Sequence, residues 1–155
     1  MSTEDNKADV RRGYEEGFNQ RNLAVFDELM ASDYVWHIAS TTVQGREPAK
    51  QLISRFLTAF PDGRYTIEDM IAEGDRVVVR QTFRGTHRGN FMGIAPTGKQ
   101  VTVTEIEIFR VANGRGVENW TNSDDLGLLH QLGVVPSMGE VGVALGARGH
   151  CLETT

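Results

Sequence analysis

Residues 73–131 read EGDRVVVRQTFRGTHRGNFMGIAPTGKQVTVTEIEIFRVANGRGVENWTNSDDLGLLHQ, and this stretch decides the fold. Gly74-Asp75 lies between an apolar run that ends near Ile71 and the alternating run Val77 to Phe83. Glycine and aspartate suit the tight turn of a hairpin, and alternation of apolar and polar residues is typical of a strand with one buried face. The pattern therefore predicts a β-hairpin here.

A second hairpin is predicted at Asn113-Gly114, which connects the strand-like run Val101–Val111 to Val117–Asn122. Asparagine and glycine tolerate the positive φ angles that a tight hairpin requires. A short helix over Asp124–Gln131 follows. Together these segments predict a strongly bent antiparallel sheet that ends in a helix.

The residues before this sheet are predicted to be mostly helical. Apolar residues recur at helical spacing in Lys7–Gln20, and again in a short segment that Asn22 caps. Tyr34–Ile38 is aromatic and β-branched, which favours a strand. A third helix starts near Pro48 and ends before Gly63, and Arg64–Ile71 is the next strand. Helices followed by a curled sheet indicate an α+β fold, a cone with a pocket at its open end.

Composition restricts the class of protein. A chain of 155 residues suits one domain, which we place at 1–133, followed by a glycine-rich tail or arm at 134–155. The net charge of -5 argues against a nucleic-acid surface, and the lone Cys151 excludes a disulfide framework. No apolar run is long enough for a membrane span, and the polar, acidic N-terminus is unlike a signal peptide. We expect a cytoplasmic protein.

Several motifs carry a family resemblance. They are Asp33-Tyr34-Val35-Trp36-His37, Phe60-Pro61-Asp62, Glu73-Gly74-Asp75-Arg76, Gly85-Thr86-His87, Pro96-Thr97-Gly98-Lys99, Glu118-Asn119-Trp120 and Asp124-Asp125-Leu126-Gly127. With them, residues 8 to 133 resemble the SnoaL-like polyketide cyclases. That family belongs to the cone-shaped superfamily of nuclear transport factor two, ketosteroid isomerase and scytalone dehydratase.

The resemblance implies an intramolecular aldol closure that uses no metal and no organic cofactor. Such chemistry needs one carboxylate or imidazole as acid/base, and an apolar enclosure that folds the substrate for ring closure. The implied ligand is a small apolar molecule that contains carbonyl groups. Members of the superfamily commonly pair through their sheets, so we expect a homodimer.

Three residues are candidates for the acid/base. Asp124 stands at the family's aspartate position, where it either faces the pocket or caps the following helix. Glu105 shares its strand face with Glu107, Val101 and Val103, so either a bulge turns both glutamates to solvent or both face the cavity. His37 is either a proton shuttle or a structural histidine at a strand end.

Further residues are candidates for substrate contact, each with a structural alternative. His87 is expected to be exposed or at the cavity mouth, Phe91 belongs to an apolar lid or dimer contact, and Arg80 either reaches a substrate carbonyl or is solvated. The remaining candidates lie on the first and last strands: Trp36, Asn119, Trp120 and Thr121. The four histidines lack metal-ligand spacing, and we expect no metal.

One departure from the family bears on function. Many relatives read Glu-His-Trp-Asp where this chain reads Glu118-Asn119-Trp120-Thr121, so two titratable groups are replaced by neutral ones. Two hypotheses follow. The first is a cofactor-free enzyme that cyclises, isomerises or dehydrates a carbonyl-rich apolar substrate, with cofactor-independent hydroxylation as a variant. The second is a non-catalytic binding or assembly module that retains the cone.

Overall fold

The computed structural model of the protein describes residues 2–136. Four α-helices, one π-helical segment and six strands follow one another along these residues. In chain order they are α1 (Thr3–Arg12), the π-helical segment (Gly13–Asn19), α2 (Val25–Leu29), β1 (Met30–Ile38), β2 (Thr41–Gln44), α3 (Arg46–Ala59), β3 (Arg64–Glu73), β4 (Arg76–Thr86), β5 (Gln100–Ala112), β6 (Arg115–Ser123) and α4 (Asp125–Gln131). The predicted tail lies outside the described residues from 137 onward.

The six strands form one curved, unclosed sheet in the order β2-β1-β6-β5-β4-β3. Helices precede and cover it, which confirms the predicted α+β cone. Two details differ from the sequence-based expectation. The pairing of β1 with β6 is parallel, and β2 is a strand that the sequence pattern did not reveal. The parallel pairing joins two strands that are far apart along the chain, and β2 has only four residues. Local sequence patterns therefore give little information about either feature.

Both hairpins are confirmed. Gly74 turns β3 into β4 with a φ of 57°, and Asn113 and Gly114 turn β5 into β6 with φ of 51° and 72°. These are the left-handed values that glycine and asparagine adopt at low cost. Register along the β4–β5 pair is continuous from Arg76 opposite Arg110 to Thr86 opposite Gln100.

The N-terminal helix consists of α1 and the π-helical segment that directly follows it. Ser2 caps α1 through a reciprocal pair of hydrogen bonds with Asp5. After Arg12 the helix widens into the π-helical segment, a local geometry that is frequent at functional sites. Gly17 lies on the inner side of this segment, where an added Cβ would come within 2.3 Å of the Phe26 ring. Only glycine allows this close approach.

The helices cover the concave face of the sheet. Helix α1 packs on β3 and β4, α3 packs on β1 and β2, and α4 packs on β5. The core consists of apolar clusters between these layers, with Phe60, Phe83, Ile53, Val77 and Val79 among the most buried side chains. No helix within residues 2–136 is both long and apolar enough to cross a membrane.

Candidate functional site

The helices and the concave face of the sheet enclose a cavity of about 820 Å³. A volume of this order accommodates a drug-sized molecule. Most of its wall is apolar and much of it is aromatic. The aromatic lining residues are Tyr14, Phe18, Phe26, Tyr34, Trp36, Phe56, Tyr65, Phe91 and Phe109.

Two carboxyl groups interrupt this apolar wall. Glu105 and Glu107 alternate along β5 with Ile106 and Ile108, and both glutamates are buried and line the cavity. The β4–β5 register is continuous here, so no bulge turns these side chains outward. Of the two arrangements that the sequence allowed, the structure adopts the one with both carboxyl groups inside. The isoleucines are the outward residues, with 50% and 38% exposure.

Hydrogen bonds join the two carboxyl groups into one network. The Gln81 side-chain amide, on β4, donates to Glu105 Oε2 at 3.1 Å and to Glu107 Oε1 at 3.2 Å. Asn119, on β6, donates to Glu107 Oε2 at 2.6 Å. Ser123 Oγ lies 3.4 Å from Glu105 Oε1, which is a weaker contact.

The environment of the pair perturbs both acids. Burial, with the negative charge of Glu107 as the second cause, raises the pKa of Glu105 to about 8. Burial also raises the pKa of Glu107, against hydrogen bonds from Asn119, Tyr14 and Thr121 that lower it. Two carboxyl groups this close and this buried cannot both ionise near neutral pH, so the pair retains a proton.

The hydrogen bonds place the negative charge on Glu107. This carboxylate receives two amide donors, one of them at 2.6 Å, whereas Glu105 receives one amide and two longer hydroxyl contacts. Donors stabilise the ionised form of an acid. These contacts favour the ionised form of Glu107 and the protonated form of Glu105.

Two tyrosines adjoin the pair. Tyr65, on β3, points its hydroxyl at Glu105 Oε1 across 3.5 Å, and Tyr14, on the π-helical segment, lies beside Glu107. Burial raises the pKa of both phenols, and the charges of the glutamates raise it further. Both hydroxyls remain protonated at neutral pH and are available as hydrogen-bond donors inside the cavity.

Three of the predicted contact residues on the first and last strands face the cavity. Trp36 donates through Nε1 to Thr121 Oγ1 at 2.8 Å, and both residues line the wall. Asn119 is 1% exposed, and its side-chain amide donates a hydrogen bond to Glu107. Thr121 stands directly opposite Glu107 in the β5–β6 register. The two neutral residues of the altered motif thus surround the buried base on the neighbouring strand.

Three other predicted site residues lie on the convex face of the sheet and not in the cavity. His37 pairs with Glu118 Oε1 at 2.9 Å and stacks on Trp120 with ring centroids 5.3 Å apart. Trp120 also lies under the Arg76 guanidinium. Arg80 is exposed and pairs with Asp69 at 2.6 Å. Alternation decides these positions, because each is an immediate neighbour of an inward-facing residue.

Asp124 caps helix α4. Its carboxylate accepts a hydrogen bond from the backbone N–H of Gly127 at 3.0 Å, and the side chain is exposed. It does not line the cavity, although its neighbour Asp125 does at the rim. The capping geometry satisfies a free amide at the helix start, and this holds the carboxylate away from the interior.

His87 and Phe91 belong to the connection between β4 and β5. His87 was expected to be exposed or at the mouth, but it is fully buried and does not line the cavity. Its Nδ1 accepts from the backbone N–H of Thr97 at 3.2 Å, because the connection folds back and pairs His87 with Lys99 and Gly98. Phe91 lines the cavity and packs 5.5 Å from Phe60.

Sequence reasoning missed two participants, Tyr14 and Tyr65, and it considered Gln81 only as one of several polar residues of β4 that could reach a substrate carbonyl. Gln81 shares its strand face with Val77, Val79 and Phe83, and a lone polar residue in such an apolar series is the signal that identifies it. The tyrosines fit equally well as ordinary core residues. Within residues 2–136, no group of three or more His, Cys, Asp or Glu side chains has a geometry that holds a metal ion.

The cone and its acid-bearing cavity define the class of protein, an α+β fold of the nuclear transport factor two type. The sequence model of the SnoaL-like polyketide cyclase family matches residues 8–132, and the chain belongs to that family. This confirms the resemblance that the motifs carry. No curated protein sequence matches the chain.

Solved structures support the assignment. A candidate SnoaL-like polyketide cyclase from Jannaschia sp. CCS1 is 27% identical with a TM-score of 0.81, over 86% of this chain and 95% of its own. AclR from Streptomyces galilaeus, a candidate hydroxylase, is 31% identical with a TM-score of 0.79, over 87% and 100%. IdmH from Streptomyces antibioticus, a candidate polyketide cyclase, is 36% identical with a TM-score of 0.71, over 83% and 98%.

Proposed function

We propose that this protein is a cofactor-free enzyme that cyclises or isomerises a neutral, carbonyl-rich apolar substrate by acid/base catalysis. The observation that carries the proposal is the Glu105–Glu107 pair, which holds one base and one acid on the wall of an apolar cavity. The family and the similarity to IdmH support a cyclase-type function. Asp124 and His37, the other sequence candidates, are not among the residues that line this cavity.

The proposed reaction is a proton transfer followed by ring closure. Glu107 takes the proton from a carbon between two carbonyl groups, while protonated Glu105 and the Tyr65 hydroxyl hydrogen-bond the carbonyl oxygen that gains charge. The enolate carbon then attacks a second carbonyl of the same folded molecule and forms the new carbon–carbon bond. The resulting alkoxide takes up the proton from Glu107, so the pair returns to its starting state.

The cavity wall contributes by shaping the substrate. Trp36, Phe56 and Phe109 present flat apolar surfaces against which an extended chain folds. Holding the reacting carbons close converts ring closure into a reaction with a high effective concentration. Burial also excludes water, which strengthens the hydrogen bonds from Tyr65 and Glu105 to the developing charge.

The test measures the first step directly. A neutral aromatic ketone, α-tetralone, is incubated with the protein in D₂O at pH 7, and loss of its α-proton signal is followed by NMR. We expect the wild type to accelerate the exchange and Glu107→Gln to lose about 100-fold or more of that acceleration, since a general base contributes on the order of 10²–10⁴ in rate. Glu73→Gln, at an exposed hairpin position, is the matched control.

A Glu107→Gln protein that exchanges the proton as fast as the wild type would remove Glu107 from the reaction. The second candidate function is a non-catalytic binding module. Asn119 and Thr121, neutral where many relatives are titratable, favour it. Calorimetric binding of α-tetralone by a wild-type protein that gives no exchange above the buffer rate would establish this alternative.

We also propose that the protein is a homodimer that pairs through the convex face of its sheet. Three isoleucine side chains that point outward from β3 and β5 are exposed there. Their exposed fractions are 66% for Ile71, 50% for Ile106 and 38% for Ile108. Such a surface is typical of a protein–protein contact. Light scattering coupled to size exclusion should give twice the 17.2 kDa chain mass, and Ile106→Lys should reduce it to one. A monomeric wild type would contradict the proposal.

A further inference from the structure

Gln81 lies behind the acid pair and away from the substrate space. It stands on the concave face of β4 directly opposite Glu105, and it is 0% exposed. It does not belong to the lining of the cavity, whereas Glu105 and Glu107 do. Any effect that Gln81 has on a reaction must therefore pass through its neighbours, which are the two carboxyl groups and Tyr14.

A single amide group contacts both acids. Gln81 Nε2 carries two hydrogens and donates one to Glu105 at 3.1 Å and one to Glu107 at 3.2 Å. This orientation follows from the Glu107 carboxylate, because the amide oxygen would be repelled by its negative charge. Gln81 Oε1 is left without a hydrogen-bond partner among the described residues. A buried acceptor without a partner is a cost to folding, so the value of Gln81 lies in its donors.

We propose that Gln81 is a positioning residue that restricts the Glu105–Glu107 pair to one shared proton, so that the pair always presents one base and one acid. This inference rests on the proposed function, because it explains how the proposed acid and base stay distinct. Two N–H donors from one amide stabilise negative charge at the pair, and a second proton would remove the charge that these donors stabilise.

Within residues 2–136, no cationic side chain is among the main influences on the ionisation of the pair. The ionisable groups that interact with the pair from the surrounding elements are Tyr14, Tyr34 and Tyr65. Burial raises the pKa of each phenol well above 10, so all three are neutral between pH 5 and pH 9. Among the described neighbours of the pair, amide and hydroxyl donors are therefore what opposes the burial that drives both acids towards the protonated form.

The test is a titration of the pair that needs no substrate. Glutamate side chains labelled with ¹³C are followed by NMR from pH 3 to pH 10 in the wild type and in Gln81→Met, which keeps the size and removes both donors. We expect the ionisation of Glu107 in the variant to move to higher pH by at least one unit, a tenfold increase in proton affinity. Gln51→Met, at an exposed position on α3, is the matched control and should leave the titration unchanged.

A second measurement serves if Gln81→Met does not fold. In the wild type, both side-chain N–H resonances of Gln81 should shift as the pair titrates, with the same midpoints as the glutamate carboxyl signals. The inference would be overturned if the Gln81 N–H resonances did not shift during the titration. It would also be overturned if Gln81→Met titrated at the same pH as the wild type. The α-tetralone experiment on Glu107→Gln stands apart from both, so failure of the proposed function and failure of this inference are distinguishable.

Discussion

Replacement of Glu105 by glutamine tests the buried pair through stability alone. The folded protein keeps Glu105 protonated where the unfolded chain ionises it, because burial raises its pKa from 4.5 to about 8. The folded state therefore binds more protons than the unfolded state between these two values. The free energy of unfolding must fall as the pH rises through this window, and it must level off above it.

The magnitude follows from the same values. A pKa raised from 4.5 to about 8 corresponds to about 5 kcal/mol at roughly 1.4 kcal/mol per unit, as an upper estimate for a coupled pair. Glu107 changes the stability in the same direction, since burial raises its pKa as well. Acids with a lowered pKa, such as Asp62 and Glu118, gain their stabilising charge below this window.

The assay is urea unfolding at pH 5, 6, 7, 8 and 9 in the wild type, in Glu105→Gln and in Glu73→Gln. We expect the wild type and Glu73→Gln to lose several kcal/mol across the series. Glu105→Gln should lose less than the wild type, because only Glu107 then still ionises in the cavity, and at pH 9 it should be more stable than the wild type, because glutamine has no charge to bury. A wild-type stability that is constant from pH 5 to pH 9 would refute the reasoning.

Two further predictions concern the helix cap and the π-helical segment. Asp124→Asn should leave α-tetralone exchange unchanged, because the cap faces solvent, and should cost less than about 1 kcal/mol in urea unfolding, since asparagine also caps helices. Gly17→Ala should destabilise the protein by about 1–3 kcal/mol in thermal or urea unfolding, because the new methyl group would overlap the Phe26 ring.

Each of these has its own control and refutation. Gly74→Asn occupies a turn with φ of 57° and no atom within 4 Å, so it should cost much less than Gly17→Ala. Equal costs at the two glycines would contradict the packing argument. If Asp124→Asn lost most of the α-tetralone exchange while its free energy of unfolding stayed near that of the wild type, Asp124 would have to take part in the reaction.

Local patterns were sufficient for most elements of the fold. Gly74-Asp75 and Asn113-Gly114 identified both hairpins because positive φ is restricted to few residue types. Pro48 and the apolar spacing after it identified α3, and the alternating runs identified β4, β5 and β6. The parallel contact between β1 and β6 was not predictable from such patterns, since it joins segments separated by α3 and four strands.

The site required more than local patterns. Alternation placed Glu105 and Glu107 on one face of β5 together with Val101 and Val103, but Ile106 and Ile108 made the opposite face equally apolar. Which face is concave depends on where the helices pack, and that depends on contacts across the whole chain. Asp124 illustrates the same limit, because the geometry of its helix start decides between a cap and a catalytic group.

The amino-acid sequence by itself determined most of the helices and strands, both hairpin turns and the family, because these depend on residue types a few positions apart. Tertiary structure alone decided that two glutamates lie buried together beneath one amide. Proton affinity depends on burial and on donors from neighbouring strands, and residues as distant as Gln81 and Asn119 reach the same carboxylate only in the folded chain.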